Sequence, residues 1–166
     1  MTEHGLRRYM KSTAVRKLTV PVLQILLDKV AEFTAHVGPD SYFSVCLYEY
    51  FAFAKIRSRN EEATAFNNRG DWVGISLIPS WTKPEYDGFA RDWVRSTVDA
   101  LADAEGKDDS VEEGVVGKRG YGNGSDGLEK VTQVFGANYP RLRKIKKKYD
   151  PELLFRKWFP IMPAED

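Results

Sequence analysis

The side chains that could do chemistry gather in three stretches. The first is the aromatic run Tyr42 to Ile56 (YFSVCLYEYFAFAKI), where Tyr48 and Tyr50 share one side of an extended chain with Ser44 and Cys46. It is followed by Trp72 to Trp81 (WVGISLIPSW), which carries Trp72 and Ser76. Phenols and indoles can wall a cavity for a flat ligand, donate hydrogen bonds and relay protons. The second is the glycine-rich stretch Gly117 to Gly127 with Tyr121 and Asn123. It has no Gly-x-Gly-x-x-Gly following a strand and no Gly-Lys-Ser/Thr, so a phosphate cradle is not supported. Glycines without Cβ still allow a ring to lie close to the backbone. The third is Arg141, Arg143, Lys144, Lys146, Lys147 and Lys148, a density of cations suited to phosphate contacts.

Composition limits these readings. Lys plus Arg total 25 against 24 Asp plus Glu, so the formal charge is +1 and the overall field offers nothing to nucleic acid or anionic lipid. The acidic, glycine-rich stretch Asp103 to Gly117 can offset the basic run, and a solvated helix face is the simpler reading of those cations. Neither a nucleic-acid nor a membrane partner is expected. Cys46 is the only cysteine and cannot close an intrachain disulfide; with His4 and His36 as the only histidines, neither a metal site nor a Ser-His-Asp triad is expected. Met1 to Lys17 is basic without a long apolar run behind it, so no signal peptide is visible. At 166 residues, 42% of them hydrophobic, one packed domain is expected.

The elements that must position these residues follow from periodicity. Leu23, Leu26, Leu27, Val30, Phe33 and Val37 recur at helical spacing behind a Thr19 cap and Pro21, and Gly38-Pro39 ends the run. Tyr42 to Ile56 reads as one long strand with Phe43, Val45, Leu47, Glu49, Phe51 and Phe53 toward the core and the tyrosine face lining a cavity. In the second strand Trp72, Gly74, Ser76 and Ile78 share a side, and Pro79 points to an edge or a bulge. Pro84 opens a helix with Phe89, Trp93, Val94, Val98 and Leu101 inward. Asp126 and Glu129 resemble a capping box for a short helix that Gly136 stops, and Pro140 opens the basic helix, Arg141 to Tyr149. Strands each associated with a helix give an α+β class: an antiparallel sheet with helices packed on one face, plus a C-terminal helical tail.

One resemblance gathers these scattered residues. Tyr121-Gly122-Asn123, Phe135-Gly136-Ala137-Asn138-Tyr139-Pro140-Arg141-Leu142, Lys146-Lys147-Lys148-Tyr149-Asp150-Pro151 and Phe155 stand in the order and spacing of a C-terminal segment. That segment is the one in the berberine bridge enzyme-like FAD-linked oxidases, closest to fungal members, which it resembles. Lys11-Ser12, Ala63-Thr64-Ala65-Phe66 with Arg69, Trp81 and Trp93-Val94-Arg95 are similar to family positions upstream, so the likeness runs from about residue 9 to residue 161.

The resemblance implies the C-terminal third of an FAD-dependent oxidoreductase that acts on a small organic substrate. The sheet would be part of the substrate domain, and the N-terminal FAD-binding domain would lie outside this chain. It places Tyr121 and Asn123 against the flavin and puts Ser76 where some members carry a Glu or Gln base; a serine has no useful basicity near neutral pH. Tyr48, Tyr50 and Trp72 are the candidate substrate-pocket residues, with Tyr121 and Ser76 the candidate catalytic ones. Departures are Gly124 after the Tyr-x-Asn, Phe53-Ala54 for Gly-Gly, Asn67-Asn68 for Pro-His, and no Arg-Ser-Gly-Gly-His loop. The expected organisation is an N-terminal arm (1–18), a partial substrate-domain sheet with its helices and an acidic loop at 103–118 (19–118), and the berberine-like segment (119–166). Expected partners are a small-molecule substrate and either the missing flavin domain or a homodimer partner. The alternative is a non-catalytic remnant that binds a ligand or a partner chain.

Overall fold

The computed structural model of the chain describes residues 5–66, 68–70, 72–105 and 122–165. In chain order its elements are β1 (Arg7–Arg8), β2 (Lys11–Val15), α1 (Val20–Val37), β3 (Val45–Glu49), α2 (Ala54–Arg57), β4 (Val73–Ile78), β5 (Ser80–Trp81), α3 (Asp87–Glu105), α4 (Val131–Phe135) and α5 (Tyr139–Tyr149), with short 3-10 turns between them. The class is α+β, with antiparallel strands, helices on one sheet face and a helical C-terminal segment. The described residues divide into two compact units, one drawn from Met1–Tyr50 and Val73–Lys118, the other from Phe51–Trp72 and Arg119–Asp166. Residues 51–72, expected with the sheet, group with the C-terminal segment instead.

In the first unit β4 is the middle strand of a three-stranded sheet, in the order β2-β4-β3. Its alternation sorts the two faces: Val73, Ile75 and Leu77 join the helix-covered core, and Gly74, Ser76 and Ile78 point the other way. Against the first set α1 brings Val22, Leu26, Phe33 and Val37, and α3 brings Ala90, Trp93, Val94, Val98 and Leu101. The Phe33 and Trp93 rings lie 4.9 Å apart, and the Trp93 indole N–H donates to the Lys29 carbonyl at 2.6 Å. The Thr19 hydroxyl accepts from the Val22 N–H and caps α1, Pro21 sits in its first turn, and Gly38 at φ 68 ends it. Leu23, Leu27 and Val30, expected on the buried stripe, are exposed, and Val22 is buried in their place. The apolar arc of α1 is wider than the strip that α3 and the sheet can cover.

Within the stretch expected as an N-terminal arm, Arg7–Arg8 and Lys11–Val15 are strands. Lys11, Thr13 and Val15 alternate as buried residues with half-buried Ser12 and Ala14, and this edge strand registers Lys11 to Leu77 through Val15 to Val73. The polar side chains of Lys11, Ser12 and Thr13 hide a strand that pairs by backbone. Ahead of it, β1 pairs with β5, and Arg7 is fastened to α3: its Nε donates to Asp87 Oδ1 at 2.5 Å, and Asp87 Oδ1 also accepts the Trp81 indole N–H at 2.8 Å.

The long strand expected from Tyr42 to Ile56 is only Val45–Glu49, because it is no longer than the partner that pairs with it. Register runs from Val45 opposite Ile78 to Glu49 opposite Gly74, and β4 begins at Val73. Pro79, with no N–H to donate, ends the ladder at the other side. Ser44 bridges the gap, its hydroxyl accepting the Ser80 N–H at 2.9 Å, while the Ser80 hydroxyl donates to the Phe43 carbonyl at 3.1 Å. The faces of this strand are also the reverse of those expected. Cross-strand neighbours share a face, so Tyr48 beside Ile75 and Cys46 beside Leu77 lie on the helix side, and Val45 and Leu47 are each 44% exposed on the open side.

In the second unit α4 starts at Val131 rather than at Asp126, with the Lys130 N–H donating to the Gln133 side chain at 3.1 Å, and Gly136 at φ 52 ends it. Asn138 is buried and donates to the Glu61 carbonyl at 3.0 Å, while Arg141 donates to the Glu62 carbonyl at 3.0 Å, which ties the turn at Glu61–Ala63 to the start of α5.

This two-faced sheet predicts unequal costs for adjacent substitutions. Leu77→Ala on the helix side should lower unfolding free energy by about 2–5 kcal/mol, whereas Val45→Thr on the open side should stay within about 0.5 kcal/mol of the parent. Urea unfolding followed by tryptophan fluorescence measures both, and equal costs would reject the face assignment.

Candidate functional site

On the open face of the first unit, Ser76 occupies the centre. Its cross-strand neighbours are Ser12 on β2 and Leu47 on β3, and the Ser12 and Ser76 hydroxyl oxygens lie 2.8 Å apart. Ser76 is only 8% exposed and flanked by Gly74 and Ile78 along its own strand. Two hydroxyls in mutual contact can orient a polar group above the sheet, and neither takes up a proton near neutral pH.

Tyr48 stands on the opposite face from Ser76, so the strand alternation does not bring these two candidates together. Partial burial, reinforced by the neighbouring Cys46, pushes the Tyr48 phenol up to about 12, which keeps it a neutral hydrogen-bond donor. Burial likewise raises the Cys46 thiol, and the hydrogen bond with Tyr48 works against that rise. Tyr50 lies past the end of β3 and is exposed. Trp72 is buried within the second unit, its indole lying close against Gly70. Tyr121 lies outside the described residues.

Asn123 sits in a single 3-10 turn, Gly122–Gly124, on the wall of a cavity of about 350 Å³ within the second unit. The other walls are Ala65, Phe66, Asn68, Gly122, Val134, Phe135, Lys157, Trp158 and Phe159. Four aromatic rings line it from three stretches of the chain: Phe66, Phe135, and the adjacent Trp158 and Phe159. The Trp158 indole N–H donates to the Gly122 carbonyl at 2.8 Å, which fixes the turn carrying Asn123 to the tail. Asn68 Oδ1 is buried and has no hydrogen-bond partner. Asn68 stands out in the sequence only as a departure from the family's Pro-His, and Trp158 and Phe159 read there merely as part of a closing apolar run.

The basic helix is partly a structural device. Lys146 pairs with Asp150 and donates to the Phe155 carbonyl at 2.7 Å, and Arg143 donates to the Pro163 carbonyl at 3.0 Å. Asp150 in turn accepts the N–H groups of Leu154 at 2.8 Å and Phe155 at 3.1 Å. Those bonds fold the tail back and carry Trp158 to the cavity wall. With Arg141 on the Glu62 carbonyl as well, Arg141, Arg143 and Lys146 are each engaged within the unit. Among the described residues no cluster of His, Cys, Asp and Glu could hold a metal ion, and no helix is long and apolar enough to cross a membrane.

The fold of this chain recurs in solved structures. A glycopeptide hexose oxidase crystallised with teicoplanin matches with a TM-score of 0.71 at 23% identity, over 96% of this chain and 33% of that one. A BBE-like protein from Arabidopsis thaliana matches with a TM-score of 0.72 at 19% identity, over 97% of this chain and 34% of that one. At these identities the likeness is one of fold, that of the C-terminal third of such chains. Residues 120–161 match the family described as berberine and berberine like. The FAD-linked oxidoreductase pgmH of Aspergillus terreus is 36% identical over 124 residues, which span 73% of this chain and 26% of that protein. The chain belongs to the berberine bridge enzyme-like FAD-linked oxidoreductases and corresponds to their C-terminal portion. It spans about a quarter of the length of the curated relative it matches.

Two carboxylates predict an acid response. The Arg7 and Trp81 donors hold Asp87 down at about 2, and the Lys146 ammonium, with the Phe155 and Leu154 N–H groups, lowers Asp150 from the ordinary 3.8. A lowered carboxyl contributes stability that is complete above its unfolded value and is lost as pH falls through the folded one. Stability should therefore hold down to about pH 4 and fall toward about pH 2. Asp150→Ala should remove part of that slope and, at neutral pH, speed hydrogen exchange at the Leu154 and Phe155 amides. Unchanged exchange there would contradict the role given to Asp150.

Proposed function

We propose that this chain supplies the substrate-side and ring-contacting portion of an FAD-dependent oxidoreductase acting on a small organic molecule. The match of residues 120–161 to the berberine-like family carries the reading, since that segment contains Asn123 on the wall of an aromatic cavity. Aromatic side chains and the Asn123 amide line this cavity, side-chain types suited to the ring part of such a cofactor. When bound, FAD supplies the two-electron acceptor for a substrate C–H bond.

Asn123, with Tyr121 two residues earlier, orients the ring. Ser76, steadied by Ser12, presents a hydroxyl on the open sheet face that positions a polar substrate group without serving as its base. Tyr48 and Tyr50 remain pocket candidates of a different kind. Tyr48, on the helix side, shapes the sheet from behind, and Tyr50 offers an exposed phenol at the end of β3. Trp72 closes the second unit beside Gly70.

The reading can be tested on the 166-residue chain by adding FAD and, separately, riboflavin, and following the visible flavin absorption band. Contacts confined to the ring predict that the two bind with affinities within about threefold of each other, or less than 1 kcal/mol, and that Asn123→Ala weakens both. No change in the band with either compound would reject ring contacts strong enough to bind flavin in this chain alone.

A second reading, a partner-binding role without redox chemistry, draws on the apolar side chains that the first unit leaves open, Val45 and Leu47 on the sheet and Leu27 on α1. It predicts a concentration-dependent dimer by sedimentation, which Leu47→Glu dissolves. A monomer at every concentration would reject the homodimer.

A further inference from the structure

We propose that β3 is a pairing edge for a second copy of this chain. Two β3 strands run antiparallel about Leu47 and join two three-stranded sheets into one of six strands, with the two α1 helices side by side on the same face. This deepens the partner-binding reading, on which it rests, by fixing the occupant and the register.

Three features of the first unit point the same way. The first is the edge itself. Among the described residues β3 pairs with β4 alone, so no strand lies along its outer side. Natural edge strands are blunted by lysine, proline or a bulge. Val45-Cys46-Leu47-Tyr48-Glu49 contains neither residue, and its register with β4 runs without interruption.

The second is self-complementarity. A two-fold axis at Leu47 sets Leu47 against its own copy, Cys46 against Tyr48, and Val45 against Glu49. Paired residues of antiparallel strands share a sheet face, and each of these pairs keeps both members on the face they already occupy. The one charged residue of the strand, Glu49, meets a valine, so no like charges stand opposite each other.

The third is the helix above. Val20, Leu23, Leu27 and Val30 of α1 are exposed and recur at steps of three, four and three, the spacing of a helix–helix seam. α3, which packs on β2, meets α1 through Lys29, Phe33 and His36. At about 3.6 residues per turn the exposed seam lies on the opposite flank of α1, the side of β3. An axis normal to the sheet keeps both helix layers on one face and sets α1 antiparallel to its copy, with the helix dipoles opposed. The seam and the side chains of Val45, Leu47 and Tyr48 expose roughly 600 Å² per copy, the lower end of what one partner brings to a stable interface, which suits a dimer that dissociates on dilution.

The test uses the whole 166-residue chain carrying Cys46→Ser, with one cysteine returned by Val45→Cys, Leu47→Cys or Glu49→Cys. In the proposed register position 47 faces its own copy. Positions 45 and 49 each lie about 14 Å from theirs, past the span of about 7 Å that a disulfide can bridge. Oxidation with copper phenanthroline should therefore form covalent dimer at least tenfold faster through position 47 than through 45 or 49. By sedimentation, Leu27→Glu should weaken the dimer of the parent chain at least tenfold. A readout that needs no cysteine variant is amide exchange across Val45–Glu49, which should slow at least tenfold from dilute to concentrated parent chain. A monomer at every concentration would overturn this pairing together with the homodimer of the partner-binding reading. A dimer that crosslinks as fast through 45 or 49 as through 47, that Leu27→Glu leaves unchanged, or that leaves β3 exchange unchanged would overturn the edge pairing and leave the partner-binding reading standing.

Discussion

β4 is a strand with unlike faces and a proline at its end, and the first unit is arranged around those two properties. Val73, Ile75 and Leu77 give α1 and α3 a surface to bury, and the intervening Gly74, Ser76 and Ile78 leave the other surface uncovered by those helices. Pro79 cannot continue the ladder, so the chain changes partner there, leaving β3 and pairing with β1 through Ser80 and Trp81. The lengths of both neighbouring strands follow from this one segment. So does the placement of every candidate on them: Ser12, Ser76 and Leu47 on the open side, Cys46 and Tyr48 on the other.

In the second unit the organising group is charged rather than apolar. Asp150 is a buried carboxylate that gathers the Lys146 ammonium and two backbone N–H groups just after α5 ends. A buried charge is tolerated only when it is paired and hydrogen-bonded, and here the pairing turns the tail back on itself. Trp158 then reaches the Gly122 carbonyl, and a cavity forms from pieces that are distant in sequence. Among the described residues of this unit the buried apolar ones are Trp72, Val134 and Phe159, so polar contacts carry a large share of its order.

Much of this was legible in the sequence where one period or one cap decided it. The helix over α1, with Thr19 before it and Gly38 after it, and the α3 stripe of Trp93, Val94, Val98 and Leu101 both follow from 3.6-residue spacing. The alternation of β4 was legible too. The side to which β3 turns was not, because both of its faces are apolar or aromatic and only register with β4 distinguishes them. β2 was hidden by its polar side chains, which pair by backbone. The family likeness drew attention to Asn123, yet no local pattern connects Asn123 with Asn68 or Trp158; that proximity depends on the fold-back at Asp150. Arg141, Arg143 and Lys146 read as solvated until their bonds to the Glu62, Pro163 and Phe155 carbonyls are seen.

The claim on which the rest stands is that the helices close the Ile75–Leu77 side of the sheet and leave the Ser76 side open. Because Cys46 is the only cysteine, one measurement tests it directly: the rate of thiol modification under native conditions, expressed per thiolate. Cys46 in the parent chain is compared with Leu47→Cys in a Cys46→Ser background. Cys46, packed toward Leu77, should react at least about tenfold more slowly than the cysteine at position 47. Equal rates, or a faster Cys46, would contradict the assignment of faces and with it the placement of Ser76.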